Sequence, residues 1–303
     1  MPVKAWRRCV GFAGVSAMSA DDRAAYLARL GVEAEPPSAD ALIRLHRAQV
    51  EQVPYETLWI HTGDLWGIDL AESAARIAHG RRGGYCFHLN GAFSVLLESL
   101  GYAVTRHVGG VHGPIRMTEL EMANHLVLTV GGLPTDDHPE GTWYVDAGLG
   151  DALHEPTPLV AGPFQQGPFS LRLDETHGED GDWHLTHDPA GSFVGMAWRS
   201  APATIDDFRD KHTWLSTAPE SGFVRVLTVQ QRDATGVDIV RGCVLSRVGA
   251  GATQADLTSQ AELEDALTDL FHLDLSGIDP AALSTMWTRM QQEHERWTAA
   301  GRP

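Results

Sequence analysis

At 303 residues the chain is long enough to bury a sizeable core and to divide into two or three sub-domains. Hydrophobic residues make up 43% and charged residues 21%, which excludes extended disorder. With 40 Asp and Glu against 23 Lys and Arg, the net charge of −17 disfavours nucleic acid and membrane surfaces as partners.

Residues 1–18 read as an N-terminal extension. Lys4, Arg7 and Arg8 precede a weakly apolar run from Cys9 to Ala17, a loose likeness to a secretory signal. Gly11, Gly14 and Ser16 break that run, and Met18-Ser19-Ala20-Asp21 looks like an alternative start, so a cytoplasmic protein is expected. No stretch reaches the ~18 uninterrupted apolar residues of a spanning helix.

Ser19 or Asp21 caps a first helix to Leu30, ended by Gly31 and Pro36-Pro37. Ser38 opens a second, with Leu42, Ile43, Leu45 and Val50 on its apolar face, closed by Pro54. A third runs from Asp69 to His79 into the turn Arg81-Arg82-Gly83-Gly84. From Tyr85 to Leu100, Leu89, Phe93, Leu96, Leu97 and Leu100 recur at helical spacing, and Gly101 sits where a terminating glycine belongs. Short β-branched or aromatic runs then follow at Val104–Val111, Asn124–Val130, Thr142–Val145, Phe169–Leu173, Trp183–Thr186 and Ser192–Trp198, the spacing of a small sheet or barrel. Thr204–Asp207 opens another helix as a near capping box. Gly222–Gln231 and Val237–Ser246 read as a hairpin around Asp233–Gly236. Ser259 caps a helix to Phe271, and Asp279-Pro280 starts a last one ending near Trp297. The fold class is α+β: a helical domain over 19–101, a central β-barrel over 102–203 and a C-terminal α/β lid over 204–303.

Three cysteines, Cys9, Cys86 and Cys243, fit neither a disulfide framework nor a CxxC zinc clip. Cys86 falls in the first turn of its helix, where free N–H groups and the macrodipole favour a thiolate. The two glycines before Tyr85 allow a sharp turn and a close approach of substrate. Most lone cysteines only pack, so a nucleophile needs partners. In an antiparallel pair the index sum is constant, and a sum of 271 puts His125 opposite Asp146, with the turn centred between Thr135 and Asp136. An imidazole oriented by a carboxylate is what a thiol needs to lose its proton. His88, two residues past Cys86, projects away from it on a helix. No spacing supports a zinc site from Cys86, His88 and His125, no Lys-Ser/Thr follows Gly109-Gly110 as in a phosphate loop, and no G-x-S-x-G elbow occurs. No metal is expected.

The chain resembles the arylamine N-acetyltransferases. The resemblance lies in Val53-Pro54-Tyr55-Glu56-Thr57-Leu58, in Arg81-Arg82-Gly83-Gly84-Tyr85-Cys86-Phe87 followed by Asn90, in Asn124–Leu128, and in Val145-Asp146-Ala147-Gly148-Leu149-Gly150. It continues through Thr204–Phe208 and Ser216–Phe223, in family order over about residues 20 to 295. It implies a helical domain, a barrel and a lid around a cysteine-protease-like core. It also implies Cys86 as nucleophile, His125 as base and acid, and Asp146 as orienter. The implied reaction is ping-pong: acetyl-CoA or another acyl-CoA acylates Cys86, and a small-molecule amine takes the acyl group. A monomer or homodimer is expected.

Departures from the family pattern bear on substrate. His88 stands where Glu is common, Leu149 replaces a pocket Phe, Tyr55 replaces Phe, and Thr57 replaces Asn. Tyr55, Val111, Leu149 and Trp198 are the candidate substrate-binding residues. The altered pocket motivates an alternative, an amide synthase or macrolactam former that takes its acyl chain from an acyl carrier protein. A non-catalytic small-molecule binding protein is a second alternative, against which the intact Cys86, His125 and Asp146 argue. Arg225, Arg241 and Arg247 are the basic residues that could offset the acidity of the chain towards an anionic coenzyme.

Overall fold

The computed structural model describes residues 18–114, 122–178 and 181–301. Most of the expected extension, with Cys9, lies outside the described residues. Helix α1 (Ala20–Leu30) is capped by Ser19, whose Oγ accepts from the Asp22 N–H, and stops at Gly31 in the left-handed region. Ser38 caps α2 (Ala39–Gln52) in the same way. A short α3 (Leu58–Thr62), absent from the sequence reading, precedes α4 (Leu70–Gly80), which Asp69 caps. The central helix α5 (Cys86–Ser99) buries nearly every side chain from Cys86 to Leu97. That is why its apolar residues spread around the helix rather than lining one stripe.

Eight antiparallel strands follow α5: β2 (Ala103–His112), β3 (His125–Gly131), β4 (Trp143–Val145), β5 (Thr157–Pro158), β6 (Gly162–Gln166), β7 (Phe169–Gly178), β8 (Gly181–Thr186) and β9 (Gly195–Pro202). Their order is β5-β4-β3-β2-β9-β8-β7-β6, so the sheet curls but leaves β5 and β6 as edges, a half-barrel. Strand β3 is buried on both faces, and its run Leu126-Val127-Leu128 follows from that. Leu126, Leu128 and Val130 pack with Phe93 and Leu96 of α5. Val127 points the other way, into a core with Tyr144, Leu173, Met196 and Trp198.

Beyond the half-barrel come a 3-10 turn (Ile205–Phe208), α6 (Arg209–Thr217) and α7 (Gly222–Arg225). A second antiparallel sheet joins β10 (Thr228–Asp233), β11 (Gly236–Arg241), β12 (Val244–Gly249) and β13 (Thr253–Asp256). Two expectations are corrected here. The strand expected over Gly222–Gln231 is the α7 turn followed by β10, because the Ser221 hydroxyl caps a helical turn at Phe223. The single strand expected over Val237–Ser246 is split into β11 and β12 by Gly242 at φ 55°. Helices α8 (Gln260–Asp265) and α9 (Pro280–Ala299) share a core with this sheet, through Leu263, Met286 and Trp287 against Val229 and Val240. Among the described residues no helix is long and apolar enough to cross a membrane.

The first strand of the second sheet comes from the helical region. Strand β1 (Tyr55–Glu56) pairs with β10, Tyr55 opposite Gln230 and Glu56 opposite Val229. Glu56 is fully buried and takes two bonds from Arg82, Nε to Oε1 at 3.0 Å and Nη2 to Oε2 at 3.2 Å, plus the Leu58 N–H at 2.8 Å. The guanidinium also lies 4.8 Å from the centre of the Trp66 ring. The turn before Cys86 is thereby fastened to the second sheet. Replacing Arg82 by Met strands a buried carboxylate, and a loss of about 3–5 kcal/mol in guanidinium denaturation is expected. A loss under about 1 kcal/mol would show that the pair is not what holds the turn.

Candidate active site

Cys86 is the first residue of α5, where the helix cannot supply carbonyl partners for its leading N–H groups. Gly83 fits because a Cβ there would fall 1.8 Å from the Pro54 carbonyl oxygen. His88 closes the helix start: its Nδ1 accepts from the Tyr85 N–H at 3.3 Å while Nε2–H donates to the Gly67 carbonyl at 3.2 Å. Burial, then Arg76 and His212, push its pKa well down, so the ring is neutral and this tautomer holds. It thus acts as the reciprocal cap that Glu or Gln makes elsewhere. Cys86 is buried, with Sγ 3.5 Å from the Asn124 carbonyl oxygen.

The structure brings His125 and Asp146 together, Nε2 to Oδ2 at 2.8 Å, both buried. The register is not the expected one. Leu128 pairs with Val145 and Thr129 with Tyr144, a constant sum of 273 instead of 271. Asp146 therefore sits diagonally from His125 rather than directly across. A two-residue slip keeps both side chains on one face, so contact survives. Burial works to lower the His125 pKa, but Asp146 and then Cys86, each by charge and by side-chain hydrogen bonding, raise it to about 10. With Nε2 on Asp146, Nδ1 is the nitrogen left for the thiol.

Asp146 accepts three further bonds: Tyr144 Oη to Oδ2 at 3.0 Å, Asn90 Nδ2 to Oδ1 at 2.7 Å and Gly148 N to Oδ1 at 3.0 Å. Asn90 also donates to the Leu126 carbonyl at 2.6 Å and accepts from the Ala147 N–H at 2.9 Å. Neither Asn90 nor Tyr144 is among the residues expected at the site. Both carried a positional signal: Asn90 is one helical turn beyond Cys86, and Tyr144 is two residues before Asp146. Gly148 crosses the start of α5 so closely that a Cβ would lie 2.9 Å from the Cys86 Cα.

The four candidate substrate residues are dispersed around this centre. Tyr55 is buried on β1, edge-on to Phe223 with ring centres 6.4 Å apart. It lines a cavity of about 10 Å³, roughly one water, with Asp146, Gly150, Gln230 and Arg232. Val111 is half-buried, and its N–H and carbonyl both bond the Asn124 side chain, at 2.7 and 2.9 Å. Leu149 and Trp198 are buried in the half-barrel core, Trp198 stacked between Tyr144 at 4.9 Å and Trp183 at 6.1 Å. A larger cavity of about 320 Å³, between Pro37–Asp40 and Gly132–Thr135, contains none of these side chains. Of the three arginines singled out, Arg247 is taken by Asp233 and Asp238, each at 2.7 Å, while Arg225 and Arg241 are exposed.

An imidazole whose pKa is raised above its unfolded value near 6.5 contributes stability that is full below about pH 6.5 and is lost as pH climbs through about 10. The raised pKa favours the cationic form of His125 at neutral pH. Iodoacetamide alkylation of Cys86 at pH 7 is expected to fall about tenfold or more in His125→Gln. An unchanged rate would show that the imidazolium does not activate the thiol. Gly148→Ala is expected to slow the same alkylation by displacing the start of α5, and crystals of that variant should show Cys86 moved.

The chain is similar to known proteins over most of its length. A family model described as N-acetyltransferase matches residues 38–279. The arylamine N-acetyltransferase of Mycolicibacterium smegmatis is 31% identical over 275 residues, 85% of this chain and 94% of that protein. The pineal gland isozyme of arylamine N-acetyltransferase from Gallus gallus is 28% identical over 279 residues, 82% of this chain and 93% of its own. Among solved structures, the Nocardia farcinica arylamine N-acetyltransferase superposes with a TM-score of 0.76 at 29% identity, covering 88% of this chain and 93% of that one. The Mycobacterium marinum arylamine N-acetyltransferase in complex with CoA does so with a TM-score of 0.76 at 25% identity, covering 89% and 98%.

Proposed function

The chain belongs to the arylamine N-acetyltransferase family, and on that premise we propose that this N-acetyltransferase works through a Cys86 thioester, with His125 as proton carrier and Asp146 as orienter. The observation that carries the reading is the buried His125–Asp146 bond of 2.8 Å at the head of the helix that begins with Cys86. In the first half-reaction the Cys86 thiolate attacks the thioester carbonyl of acetyl-CoA. The C–S bond to coenzyme A breaks, and the departing thiolate takes the proton from the His125 imidazolium. Thioester has replaced thioester, so the acetyl group is stored with little change in free energy. In the second, a small arylamine or related nitrogen nucleophile attacks the acetyl carbon. His125, now neutral, accepts the amine proton, the C–S bond to Cys86 breaks, and the amide leaves. Thiolate and imidazolium are restored together.

In this reading the helical segment 19–101 brings the nucleophile, the half-barrel segment 102–203 the base and orienter, and segment 204–303 covers them. Leu149 in place of Phe, with a hydroxyl at Tyr55, favours an acceptor other than the simplest planar arylamine. Arg225 and Arg241 stand exposed to meet the coenzyme phosphates. The test is incubation with acetyl-CoA followed by intact mass: a one-acetyl adduct is expected, absent in Cys86→Ala and discharged by added arylamine. Loading from an acyl carrier protein but from no short acyl-CoA would overturn the acetyl-CoA assignment in favour of an amide synthase.

A further inference from the structure

A second buried imidazole stands behind the carboxylate. His46, on α2, has no exposed surface. Its Nδ1 lies 3.0 Å from the carbonyl oxygen of His154, an atom that can only accept, so Nδ1 carries the proton. Burial drives its pKa down to about 4 against the opposing pull of the His154 and Asp146 carbonyls and the Asp146 carboxylate. The ring is neutral under working conditions and lies next to the Asp146 main chain. Its other contact is Phe93 of α5, edge-on with ring centres 5.9 Å apart and planes at 76°. One side chain thus touches both the helix that begins with Cys86 and the segment that leaves Asp146.

Helix α2 grips that segment at two more points. Glu51 Oε1 meets His154 Nε2 at 2.6 Å, and Arg47 Nε donates to Glu155 at 2.8 Å. The Arg47–Glu155 pair is exposed and contributes little, and Glu51 is itself partly exposed. His46 is the fully desolvated member, where a hydrogen bond is hardest to replace. Resting on the Cys86–His125–Asp146 reading above, we propose that His46 is a positioning residue for acyl transfer: it fixes the segment after Asp146 relative to α5, and so the distance at which His125 meets Cys86. It touches none of the reacting atoms. Its influence passes through Asp146 and Gly148, the latter packed directly over the Cys86 backbone.

The experiment compares His46→Phe, which keeps an aromatic face for Phe93 but no donor, with His46→Asn, whose amide N–H can stand where Nδ1–H does. For each, melting temperature, kcat and KM for acetyl-CoA, and the pH profile of Cys86 alkylation are measured on folded enzyme. His46→Phe is expected to lose about tenfold or more in kcat, with KM for acetyl-CoA within about twofold, and to shift the alkylation profile. His46→Asn is expected to recover most of that loss. If His46→Phe does not fold, His46→Leu, which fills the buried site but carries no donor, takes its place against His46→Asn. Wild-type kcat and alkylation profile in His46→Phe or its substitute, with only a lowered melting temperature, would overturn the proposal. So would equal defects in the donor-keeping and donor-lacking variants. Cys86→Ala run alongside separates the two readings: acetyl loading that survives in it refutes the nucleophile assignment, whereas loss there with unaltered His46→Phe refutes only the role of His46.

Discussion

The carboxylate of Asp146 has almost no contact with water, and the fold around it is arranged to satisfy that charge. A buried carboxylate is tolerated only where donors replace its hydration. Asp146 has four, from His125, Tyr144, Asn90 and the Gly148 main chain. They come from β3, β4, α5 and the segment after β4, so a single charge draws together parts of the helical region and the half-barrel. Asn90 uses its carbonyl and its amino group together, which fixes the rotation of α5 and hence the direction in which Cys86 faces. Tyr144 is braced by Trp198 and Trp183, stacked nearly parallel behind it. A candidate pocket residue is thereby also a wall that keeps the Tyr144–Asp146 hydrogen bond aligned.

The parts of this arrangement legible in the sequence are those where residue type and local chemistry coincide. A cysteine after paired arginines and glycines, at the head of an apolar helix, is such a place. Ser19, Ser38, Asp69 and Ser259 announced helix starts, and each accepts the cap bond its position requires. The His125–Asp146 partnership was legible but its register was not. Strand β4 is only three residues long, and periodicity cannot fix the middle of the loop from Gly132 to Thr142. Strand β13 and the latter half of β12 escaped for a related reason. Their residues are half-exposed or exposed, so no alternation of burial marks them. Asn90 and Tyr144 carry a positional signal, but a polar side chain in an apolar run declares its purpose only when its partner, here Asp146, is known. His46 was hidden more completely, since the carbonyl it bonds belongs to His154, 108 residues away.

Strand β1 has only two residues, yet it ties the second sheet to the region just ahead of Cys86. Thr57 and Thr228 bond each other from positions 171 residues apart. Such a closure is entropically costly and slow, because it must wait for nearly the whole intervening chain. During synthesis, Glu56 and Arg82 emerge early and can pair, but the strand edge beside them stays open until β10 leaves the ribosome. The region that cradles Cys86 would therefore be among the last to set. A nascent chain can hold a folded helical bundle and half-barrel, with Asn90 and Gly148 already set against the start of α5, while the turn ahead of Cys86 still waits for its partner strand β10.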